Sequence, residues 1–167
     1  RGIPYAAAPV GELRWKPPQR HARWTTILDA TQLANHCPQI AGAFGQASTT
    51  EDCLFLNVWT PGLRDGARRP VMFYIHGGAY SHGSGSSPLY DGTRLCKRGD
   101  VVVVTVNHRL NGFGYLYLAR LGGAPFADSG NVGMLDLVMS LQWVRANIKE
   151  FGGDPDQLPR VNGRSNA

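Results

Sequence analysis

The sequence has no long apolar run: nothing in it approaches the roughly 20 residues that a membrane-spanning helix needs, so no membrane span is expected. It also lacks clustered charge. Lysine and arginine total 17 against 12 acidic residues, a net +5, but the densest basic groups are the pairs Arg68-Arg69 and Lys97-Arg98. Without a basic stripe or a recognised module, that surplus does not point to a nucleic-acid partner. Internal repeats and low-complexity stretches are absent. The opening "RGIPYAAAPVGELRW" contains neither an initiating methionine nor the apolar core of a signal peptide, so the chain is expected to be cut at its front. Cysteine is scarce, at positions 37, 53 and 96. An odd count allows one internal disulfide plus one thiol, or three buried thiols. Cys37 and Cys53 are the better pair, because they enclose the polar, glycine-containing "PQIAGAFGQASTTED", whereas Cys96 sits in a helix-like stretch.

What is present describes a globular protein. Hydrophobic residues make up 43% of 167 positions and charged ones 17%, enough for one domain with a sizeable core. "LFLNVW" (54–59), "VMFYIH" (71–76) and "VVVVTV" (101–106) read as strands, and the last is apolar on both faces, the habit of a central strand in a parallel α/β sheet. "DGTRLCKRGD" between the second and third is long enough for a short crossover. Over 133–151, apolar residues at 134, 135, 138, 141, 144, 148 and 151 predict an amphipathic helix, stopped by "GGDP". The first 40 residues, rich in Pro and Trp without periodicity, read as an irregular region wrapping the sheet.

The chemistry centres on "FYIHGGAYSHGSG", Phe73 to Gly85. A phosphate loop of the Walker type needs lysine where Ser84 stands, and a dinucleotide fingerprint needs glycine where Pro88 stands. A nucleotide-binding domain is therefore disfavoured. His76 and His82 are too few ligands for a metal. Two readings remain: a loop whose glycines merely allow a turn, or an oxyanion hole whose backbone N–H groups face a developing negative charge. A strand ending in His-Gly-Gly is the loop that hydrolytic α/β enzymes use for this purpose, together with a serine on a G-x-S-x-G turn. "VNGRSNA" at residues 161–167 supplies Gly163, Arg164 and Ser165. Ala167 then replaces the last glycine, Asn162 replaces an apolar strand residue, and Pro159 weakens a central strand.

Taken in order, "RGIPYAAAPVGELRW", "EDCLFLNVW", "HGGAY", "VVVVTVNHRLNGFGYL", "GNVGMLD", "LQWVRANIKEFGGDP" and the terminal G-x-S resemble the type B carboxylesterase family, which also includes cholinesterases and the noncatalytic neuroligins. The resemblance runs from Arg1 to about Gln157, and the EDCL and FGGDP segments are its most specific parts. It implies an α/β-hydrolase fold, a mostly parallel central sheet with helices on both faces, of which residues 1–167 would form a single incomplete domain. It implies a carboxylic ester hydrolase with Ser165 as nucleophile and with oxyanion donors from the N–H groups of Gly78, Ala79 and Asn166. No cofactor is implied, and the partner is a small carboxylic ester; oligomeric state stays open. Family members place the acid and histidine after the serine, so the five histidines here (21, 36, 76, 82, 108) are expected to be structural or exposed, and the isolated chain inactive. Further implications are a Cys37–Cys53 disulfide, which tilts the compartment towards secreted or periplasmic, and the ion pairs Arg14–Glu51 and Arg109–Asp136. Phe44 is the only aromatic between the cysteines, which argues against choline esters and for an ester with an apolar acyl or alcohol part. The altered elbow at Asn166-Ala167 keeps a second reading open, a noncatalytic adhesion or scaffold protein of the same fold.

Overall fold

A computed structural model describes residues 1–41, 46–158 and 160–161. The elements in chain order are β1 (Ile3–Pro4), β2 (Phe55–Trp59), β3 (Val71–Ile75), α1 (Thr93–Gly99), β4 (Val102–Val106), α2 (Asn111–Tyr115), α3 (Ala119–Gly122), α4 (Val132–Asn147) and β5 (Arg160–Val161). Short 3-10 turns connect several of them. The five strands form one mixed sheet in the order β1-β2-β4-β3-β5. β3, β4 and β5 run parallel, while β2 is antiparallel to β4 and β1 antiparallel to β2. The three strands expected from their apolar runs are all present, each within a residue of its predicted bounds. β1 and β5 were not among them, because two residues carry no period; Pro4 of β1 is tolerated at the sheet edge, where a missing N–H breaks no inner ladder.

β4 is buried along its whole length, as a run apolar on both faces requires. Its alternate side chains divide between two layers. Val102, Val104 and Val106 pack with Leu56, Phe73, Leu110, Leu137, Val144 and Ile148 under α4, and Val103 packs with Trp59 and Cys96 on the α1 side. Helices therefore cover both faces. Each aliphatic side chain fully withdrawn from water contributes about 1.5–3 kcal/mol, which makes the α4 layer the main source of stability.

The helix predicted over 133–151 forms as α4 followed by a 3-10 turn, Ile148–Phe151, and ends at Gly152 with φ +73°. Its inward face differs from the predicted stripe. Val132, Gly133, Asp136, Leu137, Ser140 and Val144 are buried, whereas Met134, Val138 and Leu141 are exposed. Apolar residues occupy both sides of this helix at three- and four-residue spacing, so periodicity alone could not say which set faces the sheet.

The expected covalent and ionic ties are all formed. Cys37 is bonded to Cys53 and Cys96 is a buried free thiol. Arg14 grips Glu51 with Nε and Nη2. Arg109 donates to Asp136 from Nη2 at 2.6 Å, from Nε at 2.9 Å and from its own backbone N–H at 2.9 Å, in a pair exposed by only 3% and 0%. Burial raises the Asp136 carboxyl while those bonds from Arg109 oppose the rise.

Candidate active site

β3 ends at Ile75 and delivers His76, Gly77, Gly78 and Ala79 beyond its C-terminal end, the end where α/β sheets bind ligands. Gly78 (φ +122°), Ala79 (+51°) and Tyr80 (+60°) lie consecutively in left-handed backbone. Gly78 has no substitute: a Cβ there would fall 2.0 Å from the His82 carbonyl oxygen, because the chain folds straight back on itself. The turn closes on one acceptor. The Gly78 carbonyl receives the Ser81 N–H (3.0 Å), the His82 N–H (3.2 Å) and the Ser81 hydroxyl (2.9 Å). Left-handed backbone costs a non-glycine residue of order 1–2 kcal/mol, so Ala79 and Tyr80 must be held from outside. α2 does this: the Asn111 N–H donates to the Tyr80 carbonyl (2.8 Å), its side chain donates to the Ser81 carbonyl (2.8 Å), and the Tyr115 ring meets the Tyr80 ring edge-on.

Consumed N–H groups are as informative as free ones. Among the described residues no acceptor takes the N–H of Gly77, Gly78, Ala79 or Tyr80, while those of Ser81, His82 and Gly83 are taken. Successive unpaired N–H groups on a tight turn form an anion-binding concavity.

Beneath the loop lies a polar network. Gly85 passes so close over β4 that a Cβ would sit 2.7 Å from the Val106 nitrogen. Its carbonyl accepts from Thr105 Oγ1 (2.6 Å) and Asn57 Nδ2 (3.2 Å), and its N–H donates to Asn107 Oδ1 (2.8 Å), which also accepts from Ser84 Oγ (3.0 Å). The Tyr5 hydroxyl, also buried, donates to the Asn107 carbonyl at 2.7 Å. Tyr5, Asn57, Thr105 and Asn107 were not singled out in the sequence, although a signal existed: Asn57 and Thr105 are polar residues inside otherwise apolar strands, and a buried polar group needs a partner.

His76 and His108 stack with ring centroids 4.8 Å apart. Burial pushes both below the ordinary histidine range, His108 to about 3 with His76 as second cause. Their Nδ1 atoms lie against the Gly77 and Arg109 carbonyls, so they serve as neutral packing groups under the loop. No group of three or more His, Cys, Asp or Glu side chains suited to a metal occurs among the described residues. A cavity of about 560 Å³ opens between residues 20–24 and α4, lined by Trp24, Met139 and Trp143, but it contains neither Gly78 nor Ala79. Loop chemistry, not cavity size, therefore marks the site.

Of the expected site residues, Gly78 and Ala79 lie together on the turn. Ser165 and Asn166 fall outside the described residues, as do Phe44, Pro159, Asn162, Gly163, Arg164 and Ala167. The last described strand, β5, runs parallel beside β3, with Phe73 opposite Arg160 and Tyr74 opposite Val161.

Residues 1–161 match the carboxylesterase family. The chain is 45% identical over 163 residues to the para-nitrobenzyl esterase of Bacillus subtilis, covering 95% of this chain and 32% of that protein. It is 43% identical over 161 residues to the fumonisin B1 esterase of Sphingopyxis macrogoltabida, covering 94% and 30%. Among solved structures it superposes on the Geobacillus stearothermophilus carboxylesterase EST55 with a TM-score of 0.88 at 50% identity, over 95% of this chain and 32% of that one. The chain thus spans about a third of the length of the relatives it matches. With the sheet, the His-Gly-Gly turn and the Arg109–Asp136 pair in place, the α/β-hydrolase fold is established, and the chain belongs to the carboxylesterase family.

Proposed function

We propose that the protein to which this chain belongs is a carboxylic ester hydrolase, and that residues 1–167 form part of one α/β-hydrolase domain. The observation that carries this reading is the turn at the end of β3, where the Gly78 and Ala79 N–H groups have no acceptor among the described residues. In the proposed reaction the Ser165 hydroxyl attacks the ester carbonyl carbon and loses its proton to a general base. The carbonyl oxygen gains negative charge and is met by the N–H groups of Gly78, Ala79 and Asn166. Collapse expels the alcohol and leaves an acyl-serine, which water hydrolyses to the acid. Support comes from β5, whose Val161 pairs with Tyr74 of β3, the strand that leads into the Gly78 turn. An ester with an apolar acyl or alcohol part is the proposed substrate class, and by its name the para-nitrobenzyl esterase relative acts on an ester of that kind.

The test is hydrolysis of a short-chain activated aryl ester by the protein and its Ser165→Ala variant, with a fluorophosphonate probe mapped by peptide mass. Serine-dependent turnover and a label on Ser165 are expected. A label elsewhere would sink the nucleophile, and absence of turnover would favour the noncatalytic reading. The 167-residue chain alone is expected to show no serine-dependent turnover. His76 and His108, the two buried histidines, are held neutral and packed, and a serine without a positioned base is a weak nucleophile.

A further inference from the structure

The far end of the glycine turn is held by a residue from a distant part of the chain. The Gly83 N–H donates to Gln39 Oε1 at 2.7 Å, and Gln39 Nε2 donates back to the Gly83 carbonyl at 2.8 Å. The carboxamide thus copies a neighbouring strand, pairing with both main-chain polar groups of one residue. Its second N–H goes to the Cys37 carbonyl at 3.1 Å, so both donors and the oxygen of this 7%-exposed side chain are engaged. Gln39 is itself fixed. Its backbone exchanges two 2.9 Å hydrogen bonds with Ser48, and Cys37, two residues earlier, is bonded to Cys53.

The consequences converge on the unpaired N–H groups. The near end of the turn is anchored by β3, and its interior closes on the Gly78 carbonyl. Gly83 has Gln39 on both its N–H and its carbonyl, whereas Gly85 beyond it is tied to Asn107, Asn57 and Thr105. Releasing Gln39 would leave a buried peptide unpaired at 83 and free the turn that presents Gly78 and Ala79. An oxyanion site depends on donors fixed before the charge develops, and a displacement of about 1 Å can cost of order 10²-fold in rate.

We propose that Gln39 is a positioning residue for the ester-hydrolysing site: its carboxamide, clasped on the Gly83 peptide, holds the turn in the shape that aims Gly78 and Ala79, and the Cys37–Cys53 disulfide holds Gln39 in turn. This rests on the hydrolase reading above. Gln39 touches no reacting atom. Its effect falls on transition-state charge rather than on ground-state binding, so it is read in kcat and not in KM. Because the disulfide acts through Gln39, reduction and loss of the carboxamide are not additive.

The experiment measures kcat and KM for a short-chain aryl ester in the full protein and its Gln39→Leu variant, each oxidised and reduced, alongside hydrogen exchange of the Ser81 and His82 amides. Expected is a fall in kcat of roughly 10- to 100-fold with KM held within about threefold. The Ser81 and His82 amides should exchange about tenfold faster while β4 amides keep their rates, as local opening requires. Reduction should lower kcat of the wild type and add little to the variant. If Gln39→Leu does not fold, Gln39→Glu is read instead: it keeps an acceptor for the Gly83 N–H and sets an oxygen against the Gly83 carbonyl. Unchanged kcat, a change confined to KM, or exchange that rises uniformly across the sheet would overturn the proposal. Absence of turnover in the wild type would remove the hydrolase reading and the catalytic role with it, and the exchange ratio would then decide whether Gln39 holds the turn.

Discussion

On one side of β4, Val102, Val104 and Val106 join a cluster that runs from Ile3 to Ile148; on the other, Val103 meets Trp59 and Cys96, and Thr105 then turns that face polar. The α4 side is continuous hydrocarbon, reinforced by the Cys37–Cys53 bond at its margin and the Arg109–Asp136 pair at its end. The loop side gives up apolar contact to hold a glycine strand by hydrogen bonds. One strand therefore supplies stability with alternate residues and site geometry with the others. Substitutions on the two faces should fail differently, globally on the α4 side and locally on the loop side.

The largest effect is expected from Arg109→Ala, which leaves the buried Asp136 carboxylate without its countercharge and with only the backbone N–H of residue 109. A loss of about 3–5 kcal/mol is expected, seen as a lower urea midpoint at unchanged slope. A loss below about 1 kcal/mol would mean that the pair is solvated and does not belong to the stabilising face.

Opening the Cys37–Cys53 bond comes next. With the partners at a sequence separation of 16, the entropy restored to the unfolded chain is worth about 3 kcal/mol. Mass mapping of the native protein without reductant should find Cys37 joined to Cys53 and Cys96 resistant to alkylation until unfolding. Recovery of Cys96 in a disulfide would contradict this arrangement.

On the loop side, Thr105→Val keeps the shape of the side chain but removes a donor to the Gly85 carbonyl and an acceptor for Asn57. The expected cost is about 1–3 kcal/mol. The sharper sign is in hydrogen exchange, where amides around Gly83–Ser86 should open before those of β4. Uniform opening would erase the distinction between the faces.

Near neutral pH the smallest effect is a pH slope. The folded state holds His108 neutral down to about pH 3, whereas an unfolded histidine takes up its proton near 6.5. Below the unfolded value the unfolded chain binds more protons, so stability falls with pH through that window, by at most about 1.4 kcal/mol per unit for one such histidine. His76, also depressed by burial, adds in the same direction. Comparing the pH dependence of stability with that of His108→Asn isolates the contribution, and identical slopes would rule it out.

Much of this was legible before any coordinates. The strands at 55–59, 71–75 and 102–106 announced themselves by β-branched and aromatic runs, and the His-Gly-Gly turn by the failure of every phosphate or metal alternative. The supports of that turn were not legible, because Gln39 and Gly83 are 44 residues apart and a lone glutamine in a polar stretch has no local signature. Asn111 in left-handed backbone (φ +54°) was equally silent.

The sequence by itself determined the layered α/β architecture and the position of the glycine turn, because periodicity and glycine placement are local properties, while the Cys37–Cys53 bond came with the resemblance to the carboxylesterase family. Tertiary structure decided which side of α4 faces the sheet, since Met134, Val138 and Leu141 carry the same period as the buried set and only the site of the Asp136–Arg109 pair breaks the tie. It also decided that the turn is held by Gln39, Asn111 and the Thr105–Asn57–Asn107 network. A hydrogen bond between distant segments needs two groups within about 3 Å, and only the folded chain brings them that close.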